Sequence, residues 1–203
     1  RSVVRYKRFR KYKSIFETQK NHNFNKFEVR EVIILIIREE RKEDYDIVYH
    51  VIKEAFTTAE YTDENEQNLV VNLRNSKSFI PKLSLVAIED EKIVGYILFT
   101  KAFVNSIEVL ALAPLSVLPK YQNRGIGLSL IKEGHRIAHE LGYRYSVVLG
   151  YSEYYPKVGY IPASQYGVEA PFEVEDKNFM AICFDENGDK LNGIIEYDRA
   201  FGI

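Results

Sequence analysis

One cysteine, Cys183, stands in 203 residues. No intrachain disulfide and no cysteine metal cluster can form, and a reducing, cytoplasmic setting is expected. Apolar runs are short; none approaches the ~18 residues that span a bilayer, so no membrane partner is expected. The four histidines, His22, His50, His135 and His139, are scattered. His135 and His139 are spaced for one helix face, but they lack the glutamate of His-Glu-x-x-His and a third ligand. An exposed helix face, and no metal, is the expectation. Internal repeats and low-complexity linkers are missing too. The length suits one domain able to bury a core.

Charge is nearly balanced overall, at −1, but unevenly spread. Residues 1–30 carry ten Lys/Arg against two Glu, and the rest carries 18 Lys/Arg against 27 Asp/Glu. The basic head has interleaved aromatics, a mixture that can serve nucleic-acid phosphates and bases. It has no clean apolar face for a membrane-surface or targeting role. Its basic character stops where the folded pattern begins, so residues 1–30 are expected to be an extension, non-native or disordered, with the domain spanning 31–203.

From there the pattern alternates. Residues 32–37 are a β-branched run, read as a buried strand. Asp44 or Asp46 caps a helix to Phe56, and Thr62 to Glu66 opens a second helix that Ser76 to Pro81 ends. Residues 83–88 and 93–100 form an antiparallel hairpin, and 106–117 a further strand. Pro114 within that strand predicts a bulge or a lost ladder bond. Residues 143–149 and 179–184 are strands, and 193–201 suits a last edge strand.

The chain is organised around residues 115–131, which read as strand, basic glycine-bearing loop and helix. Ile126, Leu130, Ile137 and Leu141 recur at helical spacing. The loop leaves unpaired amides at a helix start, which favours anions. Gly125 and Gly127 let a phosphate approach, and Lys120 and Arg124 add charge. A phosphorylated ligand, with pyrophosphate first in line, is expected. A P-loop does not fit the spacing, and Leu130 stands where a dinucleotide fingerprint needs its third glycine.

Gln122-x-x-Gly125-x-Gly127, between strand and amphipathic helix, resembles the acyl-coenzyme A loop of the GNAT superfamily of N-acetyltransferases. Tyr154-Tyr155-Pro-Lys-Val-Gly159-Tyr160 resembles that family's segment after the fifth strand. The resemblance covers residues 32–203 and is closest to a bacterial branch of small, poorly defined members. It implies an α/β (α+β) fold: a mixed, mostly antiparallel central sheet, splayed at the fourth and fifth strands, with helices on both faces. It implies acetyl-CoA as cosubstrate, with direct acetyl transfer to an amine of a small molecule or peptide. Pantetheine would run along Val117 and Leu118. The pyrophosphate would sit on the amides of Gln122, Asn123, Arg124, Gly125, Ile126 and Gly127. A backbone N–H near Leu115 to Val117 would meet the oxyanion. Lys120, Arg124 and Lys132 are open choices for the 3′-phosphate. Tyr155 would be the general acid. For the base, Glu108 is the first choice, with Glu60, Glu64, Glu66 or a water chain as alternatives.

Two other functions share these features: a non-catalytic acyl-CoA sensor on the same fold, and nucleic-acid binding through residues 1–30, which is not expected. The acceptor is not legible. Neither is the oligomeric state, with which a homodimer is compatible. Deleting residues 1–30 separates the readings: CoA binding measured by calorimetry is expected to persist. Nucleic-acid binding would show a steep salt dependence and vanish with the deletion.

Overall fold

The computed structural model describes residues 3–13, 28–57, 62, 65–185 and 188–203. In chain order the strands are β1 (Val3–Lys13), β2 (Glu28–Glu39), β3 (Phe79–Glu89), β4 (Lys92–Val104), β5 (Ile107–Val117) and β6 (Tyr145–Leu149). They are followed by β7 (Ile161–Pro162), β8 (Val168–Glu169), β9 (Phe179–Cys183) and β10 (Gly193–Glu196). The sheet runs β1-β2-β3-β4-β5-β6-β9-β7, and β10 pairs with the end of β4 and with β8. Neighbours from β1 to β5 are antiparallel, and only β5 and β6 in this main path are parallel. The fold is thus the mixed, mostly antiparallel α/β architecture expected.

Helices cover both faces. Helix α1 (Tyr45–Phe56) buries Val48, Val51, Ile52 and Ala55, and α2 (Glu66–Arg74) buries Val70 and Leu73. Both sit over Val86, Tyr96 and Leu98. On the opposite face α3 (Ile126–Glu140) lays Ile126, Leu130, Ile131 and Ile137 against Leu85, Ile97 and Phe99. A third cluster joins Val104, Val109, Tyr145 and Ile195 near β10. The helical period of apolar residues decides which stripe of each helix meets the sheet. No helix among the described residues is long and apolar enough to cross a membrane.

Two elements differ from the sequence reading. Strand β1, within the basic head, pairs with β2 along its whole length, from Val3 opposite Arg38 to Lys13 opposite Glu28. Strand β3 starts at Phe79, so Pro81, read as part of a helix stop, lies inside a strand. It falls in the register shift between Phe79 and Ser84, ahead of the β2–β3 pairing that begins at Leu85. Proline is tolerated there because no regular ladder needs its missing N–H.

Beneath α2 lies a buried polar group. Arg74 pairs with Glu40, and its Nε is 3.2 Å from Glu40 Oε2. Ser84 donates to the same oxygen at 2.6 Å and its hydroxyl lies 2.8 Å from that of Tyr96. The Arg74 guanidinium also stacks 4.1 Å from the Tyr45 ring centroid. Burial pushes the Glu40 carboxyl up from its ordinary range, with Ser84 and Arg74 acting against it. Removing one partner leaves a buried charge unpaired. Arg74→Met is expected to cost about 3–5 kcal/mol in urea unfolding, with much of the loss recovered in an Arg74→Met/Glu40→Leu pair.

Candidate active site

The site begins where β5 loses a neighbour. Its parallel pairing with β6 consists of Leu110 opposite Ser146 and Ala111 opposite Val147. Beyond Ala111 the strand keeps only β4 as a neighbour among the described residues. On that side Phe99 faces Leu112 but Ile97 faces Leu115, so Ala113 and Pro114 oppose the single residue Leu98. This is a bulge, at the proline that predicted one, and the Ala113–Pro114 peptide is cis. The extra residue turns Leu115 and Val117 to the α3 face, opposite Ile97 and Gly95, and Ser116 to the other face, opposite Tyr96. Ser116 Oγ is buried without a partner. The outer edge of residues 112–117 therefore presents backbone donors and acceptors to a slot between β5 and β6.

The loop after β5 closes one end of that slot. Leu118 N–H bonds Val94 O at 2.9 Å and a 3₁₀ turn, Pro119–Tyr121, follows. The Gln122 side-chain amide donates to Val117 O at 3.0 Å, tying the loop to the strand end. Asn123 and Gly125 take left-handed backbone angles, φ 56° and 72°. At Gly125 that angle lets the chain turn directly into α3. Ser129 N–H is bonded to Gly125 O at 3.0 Å. The amides ahead of it have no acceptor within the helix and converge at its positive end. Ile126, within this turn, is buried in the α3 core.

Arg124 does not point its charge freely into the loop. It lies 3.2 Å from Glu89, donates to Lys120 O at 2.6 Å and stacks on Tyr121 at 5.0 Å. Glu89 is 2% exposed, so this pair braces the loop against the β3–β4 hairpin. The sequence carried no signal of it, because the partners lie 35 residues apart.

The segment after β6 closes the other side. Tyr155 starts a 3₁₀ turn, Tyr155–Val158, that ends at Gly159 with φ 96°. Its ring lies against Gly150, 5.4 Å from the Tyr154 ring and 5.6 Å from that of Tyr160. Burial pushes its phenol well above the ordinary range, so it stays protonated at neutral pH. No described residue bonds its hydroxyl. Behind it, Tyr160 OH lies 2.9 Å from Ser146 Oγ and 3.1 Å from His135 Nε2. His135 thus turns inward, against Phe99 and Phe184, instead of lying on an exposed helix face; His139 is exposed. The i,i+4 spacing shows a shared face but not which way it looks.

The structure does not bring Glu108 to this slot. It lies three residues before Ala111, on the closed side of the β5–β6 pairing, about 10 Å back along the strand. Its carboxylate accepts from Tyr143 OH at 2.8 Å and pairs with Lys101 at 3.1 Å. Glu66 is held by Thr62 at 2.6 Å, with its second oxygen buried and unpartnered. Glu60 and Glu64 lie outside the described residues.

An open strand edge, a helix start with unbonded amides and a buried phenol thus line one slot among the described residues. Comparison identifies the family. The model of the acetyltransferase (GNAT) family matches residues 37–160, and the chain belongs to that family. It is 37% identical over 132 residues to an uncharacterised N-acetyltransferase of Escherichia coli, YjhQ, covering 63% of this chain and 72% of that one. It is 30% identical over 158 residues to another, YhbS, covering 73% and 90%. The crystal structure of YhbS with CoA superposes with a TM-score of 0.74 at 27% identity, over 83% of this chain and 92% of that one. A GNAT acetyltransferase of Brucella melitensis with acetyl-CoA gives 0.68 at 31% identity, over 82% and 97%.

The buried histidine yields a test. Burial lowers the His135 pKa to about 4 from an ordinary 6.5. The unfolded chain therefore takes up a proton that the folded chain refuses. Its contribution is complete above pH 6.5 and falls by up to ~3 kcal/mol as the pH drops to about 4. Urea unfolding across that range is expected to be less pH-dependent in His135→Asn.

Proposed function

We propose that this acetyltransferase moves the acetyl group of acetyl-CoA directly to an amine. The observation that carries the reading is the convergence of three parts on one slot: the unpaired β5 edge from Leu112 to Val117, the amides from Gln122 to Gly127, and Tyr155. In this reading the pantetheine pairs with β5 backbone beside Val117 and Leu118. The pyrophosphate sits on the loop amides. The thioester carbonyl lies near Leu115, where a backbone N–H meets the developing oxyanion.

The acceptor reacts as a neutral amine. Its nitrogen attacks the thioester carbon, and the tetrahedral intermediate breaks the carbon–sulfur bond. Sulfur leaves as thiolate and takes a proton from Tyr155, while the nitrogen gives up its own proton. Water is our choice to carry that proton, since Glu108 is engaged by Lys101 and Tyr143 on the closed side of the sheet. Arg124, committed to Glu89, is the weakest candidate for the 3′-phosphate, leaving Lys120 and Lys132. The acceptor is an amine-bearing small molecule or peptide. A cytoplasmic setting fits the single free cysteine, Cys183. We read residues 31–203 as the acetyltransferase domain, with the basic segment as an addition whose β1 covers the β2 edge.

Calorimetric titration with acetyl-CoA and CoA tests the cosubstrate. Wild type is expected to bind both. Gly125→Asp, which puts a side chain on a left-handed residue and a carboxylate at the anion site, is expected to abolish binding. A folded wild-type protein that binds neither would overturn the reading. With an acceptor found by screening amines, Tyr155→Phe is expected to lower kcat by ~10²–10⁴ while KM for acetyl-CoA stays near wild type.

A further inference from the structure

Gly127 is the second residue of α3, and what it faces is specific. A Cβ built on it would lie 2.2 Å from the Tyr154 hydroxyl oxygen and 3.5 Å from Leu115 Cδ2. The space that a methyl group would take is filled by a phenolic oxygen. Tyr154 thus reaches from the segment after β6 across to the first turn of α3 and touches the same locus as Leu115 of β5. Leu115, Gly127 and Tyr154 thus come together around one point.

That oxygen is poorly served by the protein. No hydrogen bond from it to any described residue is made. Its ring is held by the edge of Tyr155 at 5.4 Å and capped by Lys157, whose Nζ lies 5.7 Å from the centroid. Burial raises the Tyr154 pKa, so the hydroxyl is a neutral O–H donor. A phenylalanine would pack the same way and carry no desolvation cost. A donor that no described residue engages, beside the free amides of a helix start, is placed to meet an acceptor from outside the chain.

We infer that Tyr154 is a further cofactor-binding residue: its O–H adds a donor to the α3 amides and meets the phosphate end of CoA, and Gly127 is glycine to admit it. This rests on the CoA reading above. It divides the tyrosine pair by task. Tyr155, fully inside, faces the reacting sulfur; Tyr154, at the helix start, holds the carrier. The two substitutions then separate in kinetics, since a contact kept throughout the reaction alters KM and one made only at the transition state alters kcat.

The test is CoA titration and steady-state kinetics on Tyr154→Phe, with thermal unfolding of Gly127→Ala and Gly127→Ala/Tyr154→Phe. Tyr154→Phe is expected to weaken CoA about tenfold and raise KM for acetyl-CoA alike, with kcat within twofold of wild type. Gly127→Ala is expected to lower Tm through the clash, and adding Tyr154→Phe to restore most of it. Unchanged CoA affinity in Tyr154→Phe, with wild type binding normally, would overturn the inference and leave the acetyl-CoA reading standing. So would a fall in kcat alone. Failure of wild type to bind CoA would remove both. Absence of rescue in the double variant would show that the hydroxyl does not sit on Gly127.

Discussion

Beyond Ala111, strand β5 has a hydrogen-bonding edge that no strand among the described residues meets. Exposed donors and acceptors on a sheet edge invite pairing, and proteins normally cover or blunt such an edge. Here it is kept open by the bulge at Ala113–Pro114 on one strand and by the early end of pairing with β6 on the other. An extended ligand that carries amides can take the place of the missing strand. The remaining features of the site are arranged along that edge.

The loop after β5 depends on it directly. Gln122 is bonded to the carbonyl of Val117, and Leu118 to Val94, so the loop starts from a fixed strand end. The left-handed turn at Gly125 then aims the α3 amides back over the edge. The brace between Arg124 and Glu89 holds the loop from behind and keeps one cation from competing for the ligand. On the far wall, Tyr154 and Tyr155 emerge from the end of β6, and their positions follow from the packing of Tyr160 on Ser146 and His135. Buried hydrogen bonds of this kind fix side-chain orientation because each polar group is costly to leave unpaired. The slot is thus lined by backbone groups on one side and by aromatic rings on the other.

Much of this was readable in advance, and the parts that were not share a cause. Pro114 in an apolar strand gave the bulge, because proline cannot serve a ladder. Gly125, Gly127 and the helical spacing after them gave the turn into α3, because a helix start is set by local geometry. The place of Glu108 away from the slot depends on where β5 and β6 part, which no local pattern carries. The inward turn of His135 is not legible either, because periodicity gives a stripe without saying which neighbour covers it. The pairing of β1 with β2 is a contact between segments, invisible in composition.

The sequence by itself determined the local units: which stretches pair or coil, where the chain turns, and which loop leads through glycine into a helix start. These rest on interactions within a few residues, where steric limits and side-chain period act alone. Only the tertiary structure decided which units face one another. It set Tyr154 against Gly127, Glu89 behind Arg124, and Glu108 away from the slot. Those relations arise from the packing of two sheet faces and three helices into one core, where a contact between residues tens of positions apart follows from shape and burial and leaves no periodic trace along the chain.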